Sequence, residues 1–257
     1  MTRHQLWVAY STIVVKEVVR FTRIWTQTVL PPAITMGIYF VVFGRFMGDR
    51  IQKFGDFSYI EFIVPGLVMM AVITNSFSNV ASSFFAAKFQ RSVEEMLVSP
   101  IPDWLLVGAY VTGGAVRGVF TGLVVLGVSL FFTQLSVHSI AVIAIFLVLT
   151  AVTFATAGFV NGMMAGKWDD IAIVPTFVLT PLTYFGGVFY SIDLLPEMWR
   201  NLSMANPILY MVNGLRYGFL GVSDISVSAG ILILSGFLVV LYGMCLILMK
   251  RGRGLRS

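Results

Sequence analysis

Residues 88–103 read KFQRSVEEMLVSPIPD and lie between two apolar stretches, each long enough to cross a bilayer. Their placement decides the fold, because a short polar segment bracketed by spans makes the chain polytopic. Phe89, Val93, Met96 and Leu97 recur at i, i+4, i+7 and i+8, which predicts one apolar face of a short helix. Pro100 and Pro102 then stop it. Arg91 can reach Glu94 and Glu95 at i+3 and i+4, pairs that add only a few tenths of a kcal/mol to an exposed helix. Two readings stand: a surface on which something outside the chain docks, or a tight connector lying on the bilayer.

Outward from this segment, 58% hydrophobic and 11% charged residues contrast with the quarter or so charged in soluble domains. The mean hydropathy is +0.89. The pattern predicts an all-α polytopic membrane protein, a single transmembrane domain over residues 1–257. Six segments have the roughly 20 apolar residues a span needs: 28–46, 59–85, 104–132, 140–164, 171–190 and 227–249. The second begins near Glu61, at its outer edge, and the fifth carries Pro175 and Pro181. A stretch too polar to span yet rich in aromatic residues, 191–226, reads as short outer re-entrant helices. It is either a cap or a gate over a path.

Six spans put both termini on one side, with Arg3, Lys16, Arg20, Arg23, Lys250, Arg251, Arg253 and Arg256, joined by Lys88, Arg91 and Lys167. The other side receives Arg45, Arg50, Lys53, Arg200 and Arg216, with acids interspersed. The positive-inside rule makes the first side cytoplasmic. The same rule accounts for the net charge of +5, so a nucleic-acid partner is not expected. Residues 5–26 precede the first span with Tyr10, Val14, Val18, Phe21 and Trp25 on one helical face and Thr12, Lys16, Arg20 and Arg23 on another. This predicts an interfacial helix in the headgroup plane, acting as an anchor or as a docking surface.

Enzyme and pump chemistry is missing from the sequence. The nearest approach to a phosphate-binding loop, GMMAGKW at 162–168, has the wrong spacing and the wrong last residue. His4 and His138 are the only histidines, predicted on opposite faces, so no catalytic residue and no metal site is assigned. No span carries the run of acids expected of a proton-driven carrier. Cys245 has no partner for an intrachain disulfide.

The spans carry glycines instead: Gly114, Gly118 and Gly122 on one face of the third, Gly158, Gly162 and Gly166 on one face of the fourth. Spaced by four, they let helices approach closely in lipid, with a substrate groove as the alternative. Gly186 and Gly187, with Ala33 and Gly37, offer another close contact, between copies of the chain. The intramembrane polar candidates are Asn75, Asn79, Arg117 and Asn161. Arg117 is the one cation deep in a span, where it costs about 2.5–3.5 kcal/mol on insertion scales. It is expected to face the protein interior, snorkelling or paired, or else to meet an anionic substrate.

Pro207, Ile208, Leu209 and Tyr210, followed by Arg216, resemble the signature of the ABC-2 family of ATP-binding-cassette permeases, and Leu195-Pro196 upstream agrees. SVEEMLVSPIP resembles that family's cytoplasmic coupling region; Phe185 departs from the smaller or aliphatic residue expected in the family signature. The resemblance covers essentially the whole chain. It implies an exporter fold working as two permease copies with two separate cytoplasmic ATPase subunits, ATP and Mg being bound by those partners and not by this chain. It further implies that Arg91, Glu94, Glu95, Met96, Leu97 and Pro100 receive the ATPase. The transported substrate stays open, and an ATP-independent channel or carrier is the other reading.

Overall fold

The structure, a computed structural model, describes residues 1–46 and 57–252. Arg50, Lys53, Arg253 and Arg256, used above for orientation, lie outside the described residues. All regular elements among the described residues are helices: α1 (Arg3–Arg23), α2 (Trp25–Thr28), α3 (Leu30–Tyr39, running into a π-helical turn at Phe40–Phe46), α4 (Tyr59–Phe89), α5 (Ser92–Val98), α6 (Asp103–Ser129) and α7 (Ile140–Met164). Then come α8 (Asp170–Val174), a π-helical turn at Pro175–Leu179, α9 (Thr180–Tyr184), α10 (Glu197–Met204), α11 (Pro207–Leu220) and α12 (Val227–Arg251).

The helix starts are written locally. Thr2 and Gln5 form a capping box on α1, and Ser58 and Glu61 form one on α4, each exchanging side-chain and backbone hydrogen bonds. Glu61 therefore marks the start of the second span by capping it. α4 is the core of the bundle, with 78% of its most apolar window buried against 17% for α12. It packs between α6 and α7, and α12 runs along the outside of α7. All five tryptophans are exposed near helix ends, as side chains with an apolar body and a polar edge are at a membrane interface.

Among the described residues, five helices are long and apolar enough to cross a membrane. The predicted 171–190 span is instead a shorter broken helix, Asp170–Tyr184, about 22 Å long at 1.5 Å per residue. Contacts at its two ends fix its course. Lys88, at one end of α4, donates to Ala165 O at 2.6 Å, and Tyr59, at the other, donates to Phe189 O at 3.1 Å. The chain from 165 to 189 thus runs alongside most of α4, part helix and part turn.

Two expectations are corrected in the polar segments. α4 runs on to Phe89 and breaks at Gln90 and Arg91, where Arg91 takes a left-handed conformation (φ 59°), so Phe89 does not share a helix with Val93. α1 does carry an apolar face, but its buried stripe is Ile13, Glu17 and Phe21, offset from the expected one, and Trp25 is exposed beyond a break at Ile24. Helix α1 packs against α6.

Candidate functional site

Helix α5 hangs from the bundle by one buried residue, Val93, with Met96 packed behind it. Its start is set by Ser92, whose hydroxyl donates to Ala87 O at 3.0 Å. Its end is set by Ser99, whose N–H donates to Glu95 O and whose hydroxyl donates to Met96 O. Arg91, Glu94, Glu95 and Pro100 are exposed, as is Val98 at 88%. No ion pair joins Arg91 to Glu94 or Glu95 among the described residues, because Arg91 sits in the turn before the helix rather than on its face. The side chain of Leu97 lies outside what is described.

The polar residues of the spans come together in one cluster with α1. Arg117 donates to Asn79 Oδ1 at 3.2 Å and to Asn75 Oδ1 at 3.3 Å, so it faces into the protein. Asn79 also accepts from Arg20 of α1, at 2.7 Å on Oδ1 and 2.9 Å on its backbone carbonyl. Arg20 pairs in turn with Glu17 at 3.1 Å, and Glu17, fully buried, accepts from Ser83 at 2.6 Å. Glu17 and Arg20 were missed as site residues, Arg20 having been placed with the headgroup charges and Glu17 not singled out. The available signal was Glu17 itself, an acid at the centre of the i, i+4, i+8 stripe Ile13, Glu17, Phe21.

Glycine makes this approach possible. A methyl group on Gly113 would collide with Glu17, and methyl groups on Gly114, Gly118 and Gly122 would collide with Val80, Ser76 and Val72 of α4. Gly158 and Gly162 of α7 similarly meet the backbone carbonyls of Phe77 and Ala81. Close packing is thus the role of five of the six predicted glycines. Gly166 is the exception, since α7 ends at Met164. There Gly166 and Lys167 N–H groups donate to the Asp170 carboxylate, at 2.8 and 2.9 Å, and hold its pKa below the usual range.

Asn161 does something different. Pro175 has no N–H, which leaves the carbonyl of Ile171, four residues earlier, without its helical partner. Asn161 donates to that carbonyl at 3.1 Å from α7. It stands at the wall of an apolar cavity of about 350 Å³ formed with Phe77, Phe154, Val178, Leu182 and Phe237.

The signature residues build the outer cap by the same principle: backbone carbonyls exposed by broken helices must be satisfied away from water. Pro207 opens α11, with Asn206 as its cap, accepting from Ile208 N–H and donating to Leu182 O at the end of α9. Tyr210 donates to Met204 O at 2.8 Å, closing α10. Ile208 is fully buried and fills the space beside Gly186. Gly186 therefore packs within its own chain. Phe185, the departure from the family pattern, stacks on Trp199 of α10 with centroids 5.6 Å apart and planes 6° from parallel.

Arg216 anchors all of this. Its guanidinium lies 3.8 Å from the centroid of the Phe62 ring, donates to Gly187 O at 2.7 Å and reaches Asn213 Oδ1 at 3.4 Å. Gly187 has a φ of +70°, a conformation that suits glycine and turns its carbonyl toward Arg216. Burial pushes the Arg216 pKa down to about 10, opposed by nearby Asp224, so it stays charged at neutral pH.

The ABC-2 type transporter family profile matches residues 8–220, which takes in α1, the polar cluster, α5 and the signature of the cap. The chain belongs to the ABC-2 type transporter family. By that membership it is a transporter protein. Among ABC-2 relatives, it is 55% identical over 254 residues to the inner membrane transport permease YadH of Escherichia coli (strain K12), covering 99% of each chain. It is 24% identical over 219 residues to Nodulation protein J of Rhizobium leguminosarum bv. viciae, covering 83% of each. The Rhizobium meliloti (strain 1021) protein of that name is 23% identical over 219 residues, 83% of this chain and 82% of the other.

Proposed function

We propose that this chain is the membrane-spanning permease subunit of an ATP-binding-cassette exporter in the bacterial inner membrane. Two copies form the translocation path, each with six crossings and both termini in the cytoplasm, surrounded by membrane lipid. The 165–189 segment makes the fifth crossing. ATP and Mg are held by two separate cytoplasmic ATPase subunits, YadG-like, and no nucleic acid takes part. The observation that carries this reading is α5: a short helix fastened by Val93 that exposes Arg91, Glu94, Glu95, Val98 and Pro100 in a chain of the ABC-2 family. An unpaired acidic pair beside an exposed valine is a surface for a partner with a basic rim and an apolar centre. Arg91, Glu94, Glu95, Met96, Leu97 and Pro100 form the ATPase-coupling segment, and ATP-driven closure of the ATPases pushes on it. The cargo is a lipid, a glycan or a hydrophobic compound.

Purification of the tagged protein from its host in mild detergent tests this. The expected result is co-recovery of an ATPase subunit and ATP hydrolysis, both lost on Glu94→Lys with Glu95→Lys while membrane insertion is kept. Recovery of the permease alone, even with candidate ATPases coexpressed, would overturn it and favour an ATP-independent channel or carrier. Normal recovery of the ATPase by the double variant would remove the coupling role from α5.

A further inference from the structure

Helix α1 was expected to be an anchor or an external docking surface. Its contacts also link α5 to the polar cluster in the spans. At one end, Tyr110 of α6, fully buried, touches both neighbours: its hydroxyl lies 3.8 Å from Met96 Sδ of α5 and accepts from Lys16 Nζ of α1 at 3.3 Å. One turn along α1, Glu17 holds Arg20, and Arg20 holds Asn79. Asn79 Oδ1 is thus shared by two guanidiniums, Arg20 at 2.7 Å and Arg117 at 3.2 Å. The cluster is not closed: Arg20 Nε, Arg117 Nε, Asn79 Nδ2 and Ser76 Oγ are buried without a hydrogen-bond partner. Two cations sharing one amide oxygen, with spare donors on every side, is an arrangement with a second solution. If α1 moves away, Asn79 is released to Arg117.

We propose that α1 is a movable restraint on Arg117, and that Glu17 is the positioning residue that sets it by holding Arg20 on Asn79. The inference rests on the proposed function, since it takes the ATPase to be what displaces α5. Displacement of α5 shifts Met96 against Tyr110, Tyr110 loses Lys16, and α1 swings from α6. Arg20 then leaves Asn79, and Arg117 turns to the oxygen it formerly shared. The element that would have two arrangements is the Asn79 amide oxygen: Arg20 and Arg117 touch it directly, and α5 reaches it through Tyr110, Lys16, Glu17 and Arg20.

The test uses the permease with its ATPase, in a Cys245→Ala background. Phe21 of α1 and Phe120 of α6 have ring centroids 6.3 Å apart, so Phe21→Cys with Phe120→Cys reports α1 on α6 through its rate of oxidative crosslinking. The rate is measured without nucleotide and with the ATPase trapped by ATP and vanadate. The expected result is a fall of about fivefold or more on trapping, absent in Glu17→Gln and kept in Glu17→Asp. A static anchor gives equal rates in both states and overturns the proposal, as does a full nucleotide response in Glu17→Gln. Should Glu17→Gln not be recovered folded, Arg20→Gln replaces it, removing the one nitrogen, Nη2, that holds both Glu17 and Asn79. Loss of the response there supports the proposal, and retention overturns it. Failure of the proposed function looks different, because no ATPase is then recovered with the unsubstituted permease.

Discussion

Two arginines sit inside this protein, and they are held in opposite ways. Arg216, in the outer cap, stacks at 3.8 Å on an aromatic ring and donates at 2.7 Å to a backbone carbonyl. Arg117, among the spans, makes two long bonds to amide oxygens, one of them shared with Arg20. The first closes a fixed turn, since the Gly187 carbonyl has nowhere else to go. The second belongs to a set of side chains that satisfy each other only in part. A buried cation tied to the backbone is a rivet, whereas a buried cation tied to movable side chains can be re-partnered.

The contrast is broken first at Arg216. Arg216→Ala leaves the Gly187 carbonyl and the Phe62 face without their cation, and removing one member of a buried charged contact costs about 3–5 kcal/mol. Size-exclusion profiles in detergent should show little folded protein. A well-folded Arg216→Ala with an unchanged melting temperature would mean that the cap does not depend on its signature cation.

The next test asks whether the carbonyl, rather than the position in the fold, makes the difference. Asn161 lies near the end of α7, at Met164, yet it serves Ile171 O as Arg216 serves Gly187 O. Asn161→Leu is expected to lower stability by about 1–3 kcal/mol, the cost of an unsatisfied buried acceptor. Thermal unfolding in detergent measures it, and an unchanged midpoint would separate the two sites. Gly187→Ala should come third, at about 1–2 kcal/mol, because a φ of +70° is unfavourable for a residue with a Cβ.

These sites were unequally legible in the sequence. The signature could be read as a family mark, but not as a set of carbonyl partners: which broken helix each residue serves is a matter of tertiary contact. Glycine spacing gave the packing of α4 with α6 and α7 at five positions, because helix periodicity alone places those residues on one face. Gly113 escaped, since the residue it accommodates, Glu17, belongs to an element read as lying flat on the membrane. Charge counting assigns Lys, Arg and Glu of a flank to the headgroups. It cannot see a carboxylate paid for by three local partners, Ser83, Arg20 and Lys16. The broken fifth segment was misjudged in length for a related reason. Two prolines within an apolar run are tolerated where other groups take up the freed carbonyls, as Asn161 does for Ile171 O; Asn206 serves Leu182 O at the helix end and Thr180 adds a bond to Pro175 O at 2.9 Å.

The smallest expected effect is the most discriminating. Arg117→Met removes a buried guanidinium whose Nε has no partner and whose other nitrogens make only long bonds. What is lost is two weak hydrogen bonds. What is gained is the removal of an unsatisfied donor and of a desolvated charge, and well-packed apolar replacements of buried charges are often neutral or stabilising. Asn79 keeps its bond to Arg20, so the cluster does not fall open. The melting temperature should therefore move by the equivalent of less than about 1 kcal/mol in either direction, whereas Arg216→Ala is expected to leave little folded protein. A large loss of stability in Arg117→Met would make Arg117 a second rivet and leave α1 nothing to release. A small change, together with loss of nucleotide-dependent crosslinking between positions 21 and 120, would mean that this cation is kept in the membrane for what it does when α1 moves, not for the fold.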